Sequence, residues 1–229
     1  MSATKSVRIG SAIFNADHGH LADVVAELDQ AGIDFYHWDV FDGHFIPELG
    51  FPPRALQAVR HLTGKPFEVH LAVVELKQFV TALATAGADL IFIPAESTPL
   101  LFEGISLVRN AGLKAGISIA LGTPLSAIVE ILPFVDSVLV LSRAYGEATA
   151  GAHFVSQSMS KVKAIRALMK QDGLALDIEV AGGLSAETAA SAVAAGATSV
   201  VFGSTLHKNK NLTQRLRELR DAVGSIAAT

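Results

Sequence analysis

The chain alternates, eight times over, a short run rich in β-branched residues with a longer amphipathic stretch. This alternation is typical of parallel strands joined by crossover helices. At about 28 residues per unit, eight units match the length of a closed (β/α)8 TIM barrel. The predicted strands cover residues 7–14, 33–39, 66–71, 89–93, 113–119, 135–141, 176–180 and 199–202. We therefore predict an α/β fold in which residues 1–229 form a single barrel domain, with a helix in every gap.

The predicted junctions between a helix and the next strand carry glycine. An alanine precedes Gly32, Gly87, Gly112 and Gly196, and each pair stands just before a predicted strand. Glycine ends helices in the left-handed conformation because it has no Cβ to clash. An open, doubly wound sheet is the alternative fold, but it would need fewer units and would carry its phosphate-binding glycines near the first strand. Here the glycine pairs at strand ends come late in the chain, which favours the barrel.

Composition excludes several classes of function. The net charge is −4, from 18 basic and 22 acidic residues spread evenly, so we expect neither a nucleic-acid partner nor a membrane-surface partner. The chain has no cysteine, which suits a reducing compartment. The first residues lack the pattern of a signal peptide, and no apolar run reaches the ~18 residues of a membrane span. We expect a soluble, cytoplasmic protein.

Two neighbouring strands are predicted to end in potential metal ligands. His37 and Asp39 lie two residues apart, so both face the barrel interior, and His70 ends the next strand. Two imidazoles and a carboxylate with open positions suit a divalent ion such as Zn²⁺, Mn²⁺ or Fe²⁺. A hydrogen-bonded polar plug in the barrel core would use the same residues without an ion.

Glycines also follow the last two predicted strands. Gly182 and Gly183 follow the seventh strand, and Gly203 with Ser204 follows the eighth. Barrels commonly bind a phosphate at these two loops, because glycine lets backbone N–H groups approach the oxygens. Ordinary turns are the alternative explanation. Arg143, after the sixth strand, suits a phosphate or carboxylate, although a surface salt bridge would explain it equally well.

Several stretches of the chain resemble ribulose-phosphate 3-epimerases, which are barrel enzymes that invert a ketose phosphate at C3 through an enediolate. The matching segments follow the family order and include residues 12–17 (AIFNAD), 37–47 (HWDVFDGHFIP), 68–71 (EVHL), 114–116 (KAG), 122–124 (Gly-Thr-Pro), 182–183 (GG) and 203–204 (GS).

The resemblance implies an isomerase on a barrel of the ribulose-phosphate-binding type, acting on a phosphorylated sugar. It implies a metal held by His37, Asp39 and His70, with Asp39 also acting as acid/base, and a phosphate bound around residues 182–183 and 203–204. It further suggests a homo-oligomer.

The departures from the family pattern fall on the substrate-facing surface. The family's second catalytic aspartate, also its fourth metal ligand, is Ala181 here, and a methyl group can do neither job. Asn15 replaces a serine and is expected to contact the substrate, and Glu48 replaces an asparagine. The family's methionines beside the metal are Phe41 and Ala72, and the loop after residue 142 is rewritten.

Three hypotheses follow from the missing aspartate, because inversion through a planar enediolate normally needs an acid/base group on each face. The first is an epimerase with a surrogate acid; the candidates are His18, His20, Glu96, Tyr145, Glu147 and His153. The second is a one-base aldose–ketose isomerase that relies on Asp39. The third is a catalytically silent, sugar-phosphate-binding relative.

Charged residues outside these motifs have simpler expected roles. Glu68 and Glu179 should point inward one layer below the ligands, and Lys114 is expected to neutralise one of them. His207 and Lys208 are expected to recognise the anionic end of a substrate.

Overall fold

The computed structural model describes residues 6–145, 153–208 and 211–227. Eight parallel strands close into a barrel in the order β1-β2-β3-β4-β5-β6-β7-β8, with β8 paired to β1. The strands are β1 (Arg8–Ala12), β2 (Phe35–Phe41), β3 (Phe67–Ala72), β4 (Leu90–Pro94), β5 (Lys114–Ile119), β6 (Ser137–Leu141), β7 (Asp177–Ala181) and β8 (Ser199–Phe202). The predicted TIM barrel and its eight strands are confirmed.

The helices surround the barrel, with one exception to the expected pattern. They are α1 (Leu21–Ala31), α2 (Pro53–Val59), α3 (Leu76–Ala86), α4 (Leu101–Asn110), α5 (Ser158–Asp172), α6 (Ala186–Ala195), α7 (Ser204–His207) and α8 (Leu212–Ala227). The prediction of a helix in every gap is wrong between β5 and β6, where only the 3-10 turns Leu125–Ala127 and Leu132–Phe134 form. Pro124 and Pro133 lack the backbone N–H that a longer helix would use there.

The predicted glycine junctions are confirmed by their backbone angles. Gly32, Gly87 and Gly196 cap α1, α3 and α6 with φ of 83°, 91° and 115°. Gly112, which follows α4, has φ of 81°. In each case the left-handed residue turns the chain from the outer helical layer back into the barrel.

Alternating residues of each strand divide between two cores. One face packs under the helices, and the other fills the barrel interior with residues such as Phe35 and Phe92. These two rings fit because the adjacent positions on neighbouring strands are Gly10 and Gly116, where an added Cβ would lie 2.3 Å from the ring. The lower barrel is therefore filled, and the open space lies at the carboxyl ends of the strands.

Among the described residues, none of the helices combines the length and the apolar character needed to cross a membrane.

Candidate active site

A cavity of about 400 Å³ opens at the carboxyl ends of the strands. Its walls come from the ends of β1, β2, β3, β6, β7 and β8 and from the loops that follow them. This is the end of the barrel where TIM-barrel enzymes place their reactive groups. The cavity brings together the expected metal ligands and the expected substrate- and phosphate-binding residues, namely Asn15, His37, Asp39, His70, Arg143, Gly182, Gly183, Gly203 and Ser204.

The three expected metal ligands converge in this cavity. Oδ1 of Asp39 lies 3.5 Å from Nε2 of His37 and 3.5 Å from Nδ1 of His70. One ligand atom from each residue lies within 4.8 Å of the others. Ligand atoms bound at ~2.1 Å in a tetrahedral arrangement are separated by about 3.4 Å, so the spacing fits a divalent ion. The donor set of two imidazoles and one carboxylate fits zinc, manganese or iron.

Burial and mutual contact shift the pKa values in this cluster. Burial by itself would lower the pKa of His37, but hydrogen bonds to Asp39 and Glu179 outweigh it and raise the pKa to about 10. Burial would likewise raise the pKa of Asp39, yet the contacts from His37 and His70 hold it well below its usual range. Asp39 is therefore ionised at neutral pH, as a general base must be.

A second layer of charge lies below the cluster. Nδ1 of His37 lies 2.9 Å from Oε1 of Glu179, and Nη1 of Arg8 lies 2.7 Å from Oε1 of Glu68. Burial first, and then the negative charge of Glu179, raise the pKa of Glu68 to about 8 against the opposing effect of Arg8. The inward orientation expected for both glutamates is confirmed by their burial.

The expected neutralising role of Lys114 is wrong. Lys114 is exposed at the start of β5, and Arg8 at the start of β1 contacts Glu68 instead. The Arg8 guanidinium reaches inward by lying over the Phe35 ring, 4.7 Å from its centroid. Sequence reasoning missed Arg8 because the two residues lie 60 positions apart and are brought together by strand packing.

The glycine loops line the wall provided by β7 and β8. Gly182 and Gly183 have φ of 117° and 66°, values in the left-handed region that favours glycine. Gly203 follows β8 and leads into the short helix that begins at Ser204. The two loops thus expose backbone and a hydroxyl to the same cavity as Asp39.

Arg143 and Asn15 cover these loops closely. A Cβ at Gly182 would lie 2.8 Å from Cγ of Arg143, and a Cβ at Gly203 would lie 2.1 Å from Oδ1 of Asn15. Within the described part of the chain, no residue forms a hydrogen bond or ion pair with the Arg143 guanidinium. A cation that lines a cavity beside two glycine loops suits an anionic ligand group.

The position of the missing aspartate is part of an apolar wall. Ala181 ends β7, and it packs in the barrel interior with Leu141 of β6 and Val201 of β8. All three line the cavity. Among the described lining residues, the carboxylates are Asp39 and Glu48. Glu48 departs from the family pattern, but the sequence alone does not identify it as a surrogate acid.

Most of the surrogate acids lie elsewhere. His18 and His20 are exposed, and they contact the Phe14 carbonyl and the Asp17 carboxylate respectively. Glu96 accepts hydrogen bonds from the Ala120 N–H and the Thr123 hydroxyl. His153 is exposed and does not line the cavity.

Glu147 lies outside the described residues. Tyr145 does line the cavity, and its ring stacks on His70 with centroids 5.9 Å apart. Its hydroxyl lies 3.4 Å from Nε2 of His70.

His207 and Lys208 differ in what they can offer an anion. Nε2 of His207 lies 2.8 Å from Oγ of Ser11, and burial lowers the pKa of His207 to about 4. The imidazole is therefore neutral at physiological pH and brings no charge to the cavity. Lys208 is exposed and lines the rim of the cavity, where its amine can reach an anionic group.

Comparison with known proteins identifies the family to which the chain belongs. The ribulose-phosphate 3 epimerase family profile matches residues 8–207. The chain belongs to the ribulose-phosphate 3-epimerase family. It is 32% identical to the ribulose-phosphate 3-epimerase of Bacillus subtilis over 215 residues, 93% of this chain and 98% of the relative. It is 33% identical to the Synechocystis sp. enzyme of that name over 221 residues, 96% and 95% of the two chains.

The expected resemblance and the expected isomerase class are thereby confirmed. Among solved structures, 3-hexulose-6-phosphate synthase from Salmonella typhimurium superimposes with a TM-score of 0.72 at 17% identity, covering 96% of this chain and 99% of the other. Identity at that level supports the shared barrel fold alone.

Proposed function

We propose that this member of the ribulose-phosphate 3-epimerase family is a metal-dependent epimerase of a phosphorylated ketose. The observation that carries the proposal is the convergence of His37, Asp39 and His70 in a cavity that two glycine loops also line. A bound Zn²⁺, Mn²⁺ or Fe²⁺ would polarise the ketone and stabilise the enediolate.

Asp39 is the proposed general base. Its carboxylate is ionised and lies at the carboxyl end of β2, facing the cavity. It would take the proton from the carbon beside the ketone, leaving the electron pair of that C–H bond in an enediolate. His37 and His70 keep the carboxylate in place through their 3.5 Å contacts, so that its orientation does not depend on the substrate.

The phosphate of the substrate is proposed to bind at the other side of the cavity. Backbone N–H groups near Gly182, Gly183 and Gly203, with the Ser204 hydroxyl, would donate to its oxygens. Arg143 packs on the first of these loops and would add a charge-assisted contact. Asn15, which lies against Gly203, would orient the sugar between the phosphate and Asp39.

The proposal also covers the domain organisation, the location and the oligomeric state of the protein. We propose that residues 1–229 form one domain that works in the cytoplasm as a homo-oligomer. The absence of cysteine and the family relationship support this setting.

A one-base aldose–ketose isomerase is the second candidate, and one specific observation favours it. Ala181 leaves β7 without a carboxylate, and Leu141 and Val201 make the surrounding wall apolar. A single base can return the proton only to the same face or move it to the adjacent carbon, which isomerises the sugar without inversion.

Metal analysis and hydrogen exchange test the proposal together. The purified protein is analysed for bound metal and then incubated in deuterated water with ketopentose and ketohexose phosphates. Exchange at the carbon beside the ketone with inversion supports the epimerase, and exchange with migration of the carbonyl supports the isomerase. If no member of the panel exchanges hydrogen while phosphates still bind, the protein is a silent binding relative and the proposal is wrong.

A further inference from the structure

The loop that follows β2 folds back onto the strand that carries Asp39. The Phe51 N–H donates to the Asp39 carbonyl over 2.9 Å, and the Gly50 N–H donates to the Phe41 carbonyl over 3.1 Å. A Cβ at Gly50 would lie 2.4 Å from the backbone nitrogen of Phe41 and 2.5 Å from the backbone carbonyl oxygen of Asp39. Only glycine permits this approach, which ties the end of the loop to the strand that carries the proposed general base.

The conformation of this loop is fixed by its own contacts. Oδ1 of Asp42 accepts the N–H groups of His44 and Phe45, and Oδ2 accepts the N–H of Val74 in the loop after β3. Ile46 is buried and packs beneath the loop. Glu48, two residues further along the chain, is therefore held at the cavity by a braced segment.

Glu48 is the acidic residue of this braced segment that faces the cavity. It is half-buried, and it lines the same space as Asp39. Within the described part of the chain, its carboxylate has no hydrogen-bond donor and no cation as a partner. By contrast, Glu68 contacts Arg8, and Glu179 contacts His37. A carboxylate that lines a reactive cavity without a structural partner is available to a ligand.

We infer that Glu48 is the second acid/base of the epimerase, which performs from the loop after β2 the proton transfer that Ala181 cannot perform from β7. The inference rests on the proposed function and deepens it. A sugar bound in the cavity would lie between Asp39 at the strand end and Glu48 on the loop beyond it. Compared with the family pattern, the chain therefore lacks the carboxylate at position 181 and has a different one, Glu48, at the same cavity.

The proton transfers balance over one turnover. Ionised Asp39 takes the proton from C3, the C3–H bond breaks, and its electron pair forms the C2–C3 double bond of the enediolate, with negative charge on the C2 oxygen. Protonated Glu48 then donates its proton to the opposite face of C3, where the new C–H bond uses that pair and the C2 carbonyl is restored. Asp39 ends with a proton and Glu48 without one, and exchange with water resets both.

The test separates exchange from inversion in a Glu48→Gln variant. Wild type and variant are incubated with the active ketose phosphate of the panel in deuterated water, and C3 is followed by proton NMR. Because Asp39 still removes and returns hydrogen on one face, the variant should keep solvent exchange at C3. Inversion should fall by about 100-fold or more, the usual contribution of a general acid.

Matched variants make the result specific. Glu75→Gln removes an exposed carboxylate on the neighbouring loop outside the cavity, and it should epimerise like the wild type. Glu48→Asp keeps an acid one methylene shorter and should restore part of the inversion. Tyr145→Phe removes the cavity-lining hydroxyl that the sequence also offers as a surrogate acid. If Glu48 is the acid, this variant should keep the wild-type ratio of inversion to exchange.

Several outcomes would overturn the assignment. Wild-type inversion in Glu48→Gln, or loss of inversion in Tyr145→Phe with exchange retained, would remove Glu48 from the role. Loss of both exchange and inversion in a folded Glu48→Gln variant would contradict the division of labour with Asp39. A wild-type protein that exchanges no hydrogen would instead overturn the proposed function itself, so the two failures are distinguishable.

Discussion

Nδ1 of His37 lies 2.9 Å from Oε1 of Glu179, and both side chains are buried at the centre of the barrel. This contact commits Nδ1 to the glutamate and leaves Nε2 facing Asp39, where a metal ion would bind. Carboxylates behind ligating histidines fix ring orientation and raise ligand basicity. Glu179 is therefore a positioning residue for the metal site.

Replacing Glu179 with glutamine should weaken metal binding by about 10-fold to 100-fold, the usual effect of losing such a partner. Glutamine keeps the shape of the side chain but removes the charge that favours His37 as a ligand. Titration calorimetry with Zn²⁺ or Mn²⁺ measures the change. Glu187→Gln, at an exposed position on α6, is the matched control. Equal metal affinity in the wild type and Glu179→Gln would contradict the positioning role.

Asp39→Asn should abolish hydrogen exchange into the substrate while the barrel remains folded. The amide is nearly isosteric, but it can neither accept a proton as a base nor carry the negative charge that the two histidines face. Exchange by NMR and thermal unfolding by circular dichroism give the two readouts. Exchange at the wild-type rate in the variant would exclude Asp39 as the base.

Ala181→Asp should strengthen metal binding and create or raise the epimerisation of pentulose phosphates. Ala181 ends β7 at the wall of the cavity that holds the ligand cluster, so a carboxylate there would add a fourth ligand and an acid/base group. Metal affinity and inversion at C3 are measured together. Ala181→Asn adds similar volume without charge and should produce neither gain. If both properties are unchanged in Ala181→Asp, the site has been misplaced.

Arg143→Ala should raise the KM for the phosphorylated sugar by about 10-fold to 100-fold with a smaller effect on kcat. A hydrogen bond to a charged group contributes roughly 1.5–3 kcal/mol, and the guanidinium lies beside the proposed phosphate loop. Steady-state kinetics with the active ketose phosphate measures the effect. Arg54→Ala removes an exposed arginine from α2 outside the cavity and should leave KM unchanged. An unchanged KM in Arg143→Ala would exclude substrate contact.

Metal affinity should rise with pH because the metal must displace a proton from His37. With its pKa raised to about 10, the metal-free imidazole is protonated throughout the neutral range, whereas a bound metal requires the neutral ring. The apparent affinity should increase about tenfold per pH unit between about pH 7 and 9 and level off near the pKa. Calorimetry in two buffers of different ionisation enthalpy should show about one proton released. A flat profile would contradict the protonated metal-free state.

Local sequence determined much of the fold. The period-two runs give the strands, and the glycines after the helices give the turns between the two layers, because both depend on neighbouring residues and backbone sterics. The same alternation placed His37 and Asp39 on one face, and strand pairing sets His70 directly beside Asp39. The three metal ligands could therefore be predicted from the sequence.

Barrel closure decided the remaining contacts of the site. His37 and Glu179 are 142 positions apart, and Arg8 meets Glu68 across 60 positions, so no local pattern specifies either pair. The return of the loop through Gly50, which brings Glu48 to the cavity that Asp39 lines, likewise depends on tertiary backbone contacts. Patterns along the chain thus specify which elements form and which chemical groups lie at each strand end. Which of those groups share a cavity is set by the folded barrel, because the distance between side chains depends on strand register and packing rather than on separation along the chain.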